Sequence, residues 1–220
     1  MTLESGTLAD RICDQVRGEI LSGARRPQAR IRLEALKSEF NVSWSPLREA
    51  LARLVAEGLV QTDESRGYRV APVSRAELAD VIRMRKTLES MALRASIEHG
   101  DDAWEADVLA AHHRLTKLEA KRQRREDLDQ WEAWHRHYHA TLTRACGSPL
   151  LLQFCAQLHD QFARYRKVFL ASHPFDRAVA TEHKKLTDAA LERDCGKACA
   201  VIETHIERTG RNILACIQEE

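Results

Sequence analysis

The sequence predicts a mainly α protein: three N-terminal helices carrying a two-stranded wing over residues 1–72, then an all-α bundle of six or seven helices over residues 73–220. Three observations predict it. Asn41 through Val60 reads as one helix with a defined start and stop. Two short runs of β type follow it directly. From Ala71 onward the chain shows only helical periodicity, with no strand pattern and no repeat of fixed period.

The first helix is expected over 7–22, with Leu8, Ile12, Val16, Ile20 and Leu21 on one face and Gly23 closing it. Leu33, Leu36 and Phe40 mark a short second helix, and Asn41-Val42-Ser43 is a tight turn into the third. There Leu47, Leu51, Leu54 and Val55 recur at helical spacing. Ser43 or Ser45 can cap its start, because a hydroxyl accepts a bond from a free first-turn N–H. Pro46 lies in the first turn, where its missing N–H costs nothing, and Gly58 supplies the left-handed residue that ends the helix. Two helices across such a turn form a helix-turn-helix pattern. Residues 59–62 and 67–71 read as strands, and the loop between them makes a wing tipped by Arg66 and Gly67.

Residues 71–75 are the linker, since Pro72 cannot continue a ladder and Ser74 can cap the next helix. The bundle helices are expected over 75–98, 102–121, 125–145, 149–171, 175–193 and 196–218. Breaks fall at Gly100, at the charged run 121–129, at Gly147-Ser148-Pro149, at His173-Pro174 and near Gly196.

Composition narrows the function. At 44% hydrophobic and 30% charged the chain can bury a core, and its net charge of +1 excludes a polybasic coat, so any DNA contact needs a local basic patch. No run approaches the ~18 apolar residues of a membrane span, and the N-terminus has no apolar signal core, which points to the cytoplasm. The six cysteines form no Cys-x-x-Cys pair and are read as packing residues. A short helix with Ser43, Ser45 and Arg48 at its N-terminal end suits the DNA major groove, with Arg48 on a base edge, guanine first. Arg32 and Lys37 lie near the same face. The run 121–125 reads as a solvated helix end, and Trp104, Trp131 and Trp134 as bundle packing, with Trp134 a possible wall beside His135.

The chain has ten histidines. His135 and His139 are four apart on one helix and share a face, a common way to hold a transition metal. His137 points elsewhere. Taken alone, these residues favour hydrogen-bonded core histidines over a metal site.

The third helix and its flanks resemble the winged helix-turn-helix of GntR-type transcription regulators. That signature runs Val-Ser-Arg-Thr-Pro-Val-Arg-Glu-Ala-Leu, then Leu, then Glu-Gly-Leu-Val. It stands here as Val42-Ser43-Trp44-Ser45-Pro46-Leu47-Arg48-Glu49-Ala50-Leu51, then Leu54, then Glu57-Gly58-Leu59-Val60. Trp44 departs from the family arginine; an indole offers stacking, apolar contact or one donor. The remainder resembles the FCD effector domain of the FadR branch. The matching residues are Arg85 with Leu88-Glu89, Tyr138-His139 with Leu142, Ala145 and Gly147-Ser148-Pro149, and Glu182-His183 with Ala198 and His205.

The resemblance implies a homodimer that binds a palindromic operator through Arg32, Lys37, Ser43, Trp44, Ser45, Arg48, Arg66 and Gly67, as a repressor and not an enzyme. It implies a divalent metal on His139, His183 and His205, with His135 where many members carry an aspartate. Four imidazoles favour zinc or nickel over magnesium or calcium. It also implies a small carboxylate or dicarboxylate effector beside the metal, held by Arg85 and one of Arg164 or Arg166. Residues 164 and 166 cannot both face one pocket. Three other readings remain: a regulator that senses the metal alone, a metal-free effector pocket, and a metalloenzyme. Against the last, the chain has no His-Glu-x-x-His and no nucleophile elbow.

Overall fold

The computed structural model describes residues 7–63, 67–121, 126–170 and 178–217. The chain divides into two units, Met1–Ser74 and Arg75–Glu220. In the first, the elements run α1 (Leu8–Leu21), β1 (Arg30–Ile31), α2 (Leu33–Phe40), α3 (Trp44–Ala56), β2 (Val60–Asp63) and β3 (Gly67–Val70). A capping box starts α1: the Thr7 hydroxyl accepts from the Asp10 N–H, and the Asp10 carboxylate accepts from the Thr7 N–H. The apolar stripes of α1 and α3 meet in a core of Ile12, Val16, Ile20, Leu47, Leu51 and Leu54, closed by Leu36 and by Val60 and Val70 of the sheet. Each such fully buried side chain contributes roughly 1.5–3 kcal/mol.

Two features fix the position of α3. Asn41 adopts a left-handed conformation (φ 50°), which turns the chain sharply out of α2, and Gly58 (φ 73°) turns it from α3 into the sheet. Ser43 occupies the N-cap position of α3, but its hydroxyl makes no capping bond, so the expected side-chain cap is absent. The wing strands β2 and β3 pair as expected, and β1 adds a third, giving an antiparallel sheet in the order β1-β3-β2 with Arg30 opposite Arg69 and Val60 opposite Val70. Two-residue β1 is too short to show an alternating pattern, and its partner lies far along the chain. Arg66, expected at the wing tip, lies outside the described residues; Gly67 opens β3 opposite Asp63.

The second unit contains, among the described residues, α4 (Arg75–His99), α5 (Asp102–Lys121), α6 (Glu126–Thr143), α7 (Pro149–Leu170), α8 (Ala178–Leu191) and α9 (Cys195–Leu214). Helix α6 stops earlier than its periodicity suggests, because Arg144–Cys146 tightens into a 3-10 turn that Gly147 (φ 74°) terminates. The middle of the charged run, residues 122–125, and the His173-Pro174 break lie outside the described residues. Tertiary hydrogen bonds lock the bundle. The Trp104 indole donates to the Thr141 carbonyl at 3.0 Å, and the Tyr138 hydroxyl donates to the His183 carbonyl at 3.0 Å. All six cysteines are free thiols. No helix among the described residues is long and apolar enough to cross a membrane.

Helices α4 and α9 pack tightly at Gly210, where an added Cβ would lie 2.3 Å from Ile82 Cδ1. Gly210→Val should therefore destabilise the helical unit by about 1–3 kcal/mol, the usual penalty for overpacking. Denaturant unfolding followed by tryptophan fluorescence measures this, and an unchanged midpoint would show that the two helices can part without loss.

Candidate metal centre and DNA-facing helix

At the start of α3, Ser43, Ser45 and Arg48 are exposed. Among the described residues Arg48 has no carboxylate partner, whereas its neighbours are engaged. Arg53 is paired with Asp10 and Glu49, and Arg17 clips α1 to the end of α3 through Glu57 at 2.7 and 3.0 Å. Trp44 is half-buried against the core, with the Lys37 ammonium 4.7 Å from its ring centre. At this position, then, the indole is a platform beneath a lysine from α2. Arg32 is exposed at the N-cap of α2.

In the second unit α6 carries His135 and His139 one turn apart, α8 carries His183 and α9 carries His205. The four rings are buried, and each offers a ligand atom within 4.8 Å of the other three. The Nδ1 of His183 lies 2.8 Å from Glu119 of α5, and the Nδ1 of His205 lies 2.8 Å from Glu182. A carboxylate accepts, so each ring donates from Nδ1 and keeps its lone pair on Nε2, as in the carboxylate–histidine supports of metal ligands. Arg208 holds Glu182 in turn at 2.6 and 2.8 Å.

Several ring nitrogens are buried with no hydrogen-bond partner: His135 Nδ1, both nitrogens of His139, and His183 Nε2. Glu89 is 3.7 Å from His139 Nδ1, too far for a hydrogen bond. Burial holds His135, His139 and His205 well below the usual imidazole range, reinforced by Arg166 beside His135, by His205 beside His139 and by His183 beside His205. Neutral imidazoles with unpartnered nitrogens around one point suit a divalent transition metal.

The arginines are already paired. Arg85 holds Glu89 at 2.5 and 3.1 Å and lies over the Phe162 ring. Arg166 holds Glu132 at 2.5 and 2.8 Å and borders a 30 Å³ crevice beside His135 and His205. Arg164 bonds Glu77 and Tyr165 and borders neither this crevice nor the larger cavity described next. The structure thus brings Arg85 and Arg166 near the histidines and turns Arg164 away.

A cavity of about 380 Å³ opens between α6 and α7, with Glu89, His139 and His159 among its lining residues. His159 escaped sequence reasoning, although it shares a helical stripe with Cys155, Phe162 and Arg166 and is polar on an otherwise packed face. The supporting roles of Glu119 and Glu182 were equally hidden, since each acts on a histidine far away in sequence. Trp131, not Trp134, packs on His135, tilted by 30° with ring centres 4.6 Å apart; Trp134 meets His137 edge-on at 5.1 Å.

Comparison with known proteins agrees with this architecture. The profile of bacterial regulatory proteins of the gntR family matches residues 8–70, and the FCD-domain profile matches residues 80–208. The chain is 37% identical over 195 residues to the HTH-type transcriptional repressor GlaR of Escherichia coli, covering 87% of this chain and 89% of that protein. It is 36% identical over 203 residues to the uncharacterized HTH-type transcriptional regulator BphR of Paraburkholderia xenovorans, covering 91% of this chain and 83% of that protein. Among solved structures, E. coli McbR/YncC superimposes with a TM-score of 0.81 at 20% identity over 96% of this chain and 98% of its own, a likeness of fold. The paired matches, one to each unit, make this chain a transcription regulator of the GntR family whose C-terminal unit is an FCD domain.

Proposed function

We propose that this regulator is a homodimeric, cytoplasmic repressor that grips a palindromic operator through α3 and the wing and releases it when a small carboxylate or dicarboxylate binds at a divalent transition metal in the FCD domain. The observation that carries the reading is the group of four buried imidazoles, three of them with orphaned nitrogens, that each offer a ligand atom within 4.8 Å of the others. His135, His139, His183 and His205 would hold the metal, zinc or nickel by ligand type. The metal would supply a Lewis-acid position for a carboxylate oxygen. The 380 Å³ cavity beside His139 has room for such an acid, and Arg85 and Arg166 bring positive charge to His139 and His135. Arg164 has no part in this reading, being engaged with Glu77. Leu150 and Phe154, 61% and 45% exposed and four apart on α7, give the homodimer an apolar surface to use.

In DNA recognition Arg48 reads a base edge. Ser43, Ser45, Arg32, Lys37, Gly67 and Arg66 position the backbone, and Trp44 supports Lys37. Two copies of α3 then meet two half-sites. The FCD domain acts as a sensor and not as an enzyme.

One observation favours a second reading. Four protein ligands saturate a tetrahedral zinc, leaving no open position unless the coordination expands. A regulator that responds to the metal alone fits that closed site. Elemental analysis of untagged protein, followed by operator titrations with and without metal and with a panel of organic acids, separates the two readings. Release that needs both metal and an acid supports the first. Operator affinity that tracks the metal alone supports the second. Protein with no metal and no response to either overturns both.

Arg48→Ala should weaken specific operator binding by about 1–3 kcal/mol, the value of one bidentate base contact. In anisotropy titrations the ratio of operator to scrambled-DNA affinity should fall; an unchanged ratio would remove Arg48 from base readout. For the metal centre, His139→Ala should lower metal content with the N-terminal unit still folded. Glu119→Gln should retain the ligands but weaken metal affinity about 10- to 100-fold by releasing His183. Chelator competition reads both effects, and full wild-type affinity in His139→Ala would exclude that residue from the ligand set.

A further inference from the structure

Five imidazoles, not four, gather in the middle of the FCD domain. The ring centre of His159 lies 5.6 Å from that of His135 and 5.7 Å from that of His139. His159 is buried and borders the α6–α7 cavity alongside His139. Its Nδ1 lies 3.5 Å from a terminal nitrogen of Arg85. A guanidinium has donors and no acceptor, so Nδ1 must accept. The proton of the neutral ring is then on Nε2. Arg85 is itself fixed by its two bonds to Glu89 and by the Phe162 ring, so the tautomer is set by a rigid partner.

Among the described residues Nε2 of His159 is buried with no hydrogen-bond partner. A protonated Nε2 has no lone pair to give a metal, and His159 is not one of the four rings whose ligand atoms converge. What it offers is an unpartnered N–H donor on a residue that lines a cavity, next to a centre that suits a cation. The cavity has apolar wall in Leu152, Cys155 and Ala156 and hydroxyls in Thr141 and Thr143.

We propose that His159 is the recognition donor for the effector: its Nε2–H binds an oxygen of a carboxylate with a short apolar body, which enters through the α6–α7 cavity and reaches the four-histidine centre. This deepens the effector reading above and rests on it. Arg85 then acts through His159 as a positioning residue, and its pairing with Glu89 stays intact when the acid binds.

The test uses full-length protein reloaded with cobalt(II), with acetate and succinate as probes and the visible cobalt spectrum as the readout. In the wild type one of the acids should shift the spectrum with a measurable Kd. His159→Phe should keep the wild-type cobalt content and starting spectrum, while its Kd rises about tenfold or more, the size of one hydrogen bond to a charged group. His159→Gln, which restores an N–H donor, should stay within about threefold of the wild type. If the Phe variant does not fold, His159→Met, which also lacks a donor, replaces it with the same expectations. Loss of cobalt from the donor-less variant would make His159 a metal ligand and overturn the proposal. So would a wild-type Kd in that variant, which leaves the carboxylate reading standing. A wild type whose cobalt spectrum ignores both acids overturns the carboxylate reading and this proposal together.

Discussion

The FCD domain is organised by the need to satisfy polar groups in a helical interior. Five imidazoles lie where a bundle of this kind would ordinarily pack aliphatic side chains. Each buried nitrogen without a partner costs about 1–3 kcal/mol. Three helices answer part of this demand. Helix α5 sends Glu119 to His183, α8 sends Glu182 to His205, and α4 sends Arg85 to His159. The nitrogens left over, on His135, His139, His159 and His183, all belong to the same cluster. Unpartnered nitrogens gathered on four neighbouring rings suit a ligand-binding centre.

Charge balance bears on how that centre meets an anion. Four arginines approach the histidines, and each is bound to a carboxylate: Arg85 to Glu89, Arg136 to Asp160, Arg166 to Glu132 and Arg208 to Glu182. Drawing a buried arginine off its partner onto a ligand leaves a buried carboxylate uncompensated, at a cost of about 3–5 kcal/mol. For Arg85, only 1% exposed, that cost is largely undiminished by solvent. A neutral N–H donor carries no such cost. The direct arginine–carboxylate pairing that sequence reasoning favours at Arg85 is therefore the weaker arrangement in this packing, and an imidazole held in its tautomer by that arginine is the stronger one. The use of His135 in place of an aspartate works in the same direction, since it leaves the centre one negative charge poorer.

Much of this was legible in the sequence, and the misses have physical causes. Helix α3 could be read from its stripe and from Gly58 because helix ends are local chemistry. Strand β1 could not, because two residues have no period and their partner, β3, lies more than thirty-five positions away. The i, i+4 spacing put His135 and His139 on one face, but His183 and His205 joined them only through the family pattern, since nothing local says which way α8 and α9 face. Arg164 and Arg166 differ by two residues, some 200° around a helix, so one of them had to turn away. Choosing Arg166 needed the packing of α7. His159 was hidden among apolar neighbours, and its role depends on a contact with Arg85 across seventy-four residues.

The DNA-binding unit follows the same logic with the opposite outcome. Arg17 and Arg53 are tied to carboxylates that hold α1 and α3 together, while Arg48 is exposed without a carboxylate partner among the described residues. Trp44 fills the family arginine's place as a half-buried platform, and Lys37 lies over it. A compact ammonium makes a phosphate contact more readily than a bidentate base contact, so under the proposed reading sequence discrimination concentrates on Arg48. Communication between the two units is then a matter of linkage. Under the proposed reading, an acid alters operator affinity only if it binds the free and DNA-bound forms with different strength. The factor by which it weakens DNA binding must equal the factor by which DNA weakens its own. Under the same reading, a recognition donor preset by a rigid Arg85–Glu89 pair makes that difference large only if the cavity between α6 and α7 changes shape between the two forms, so the cavity, more than the metal ligands, would carry the signal.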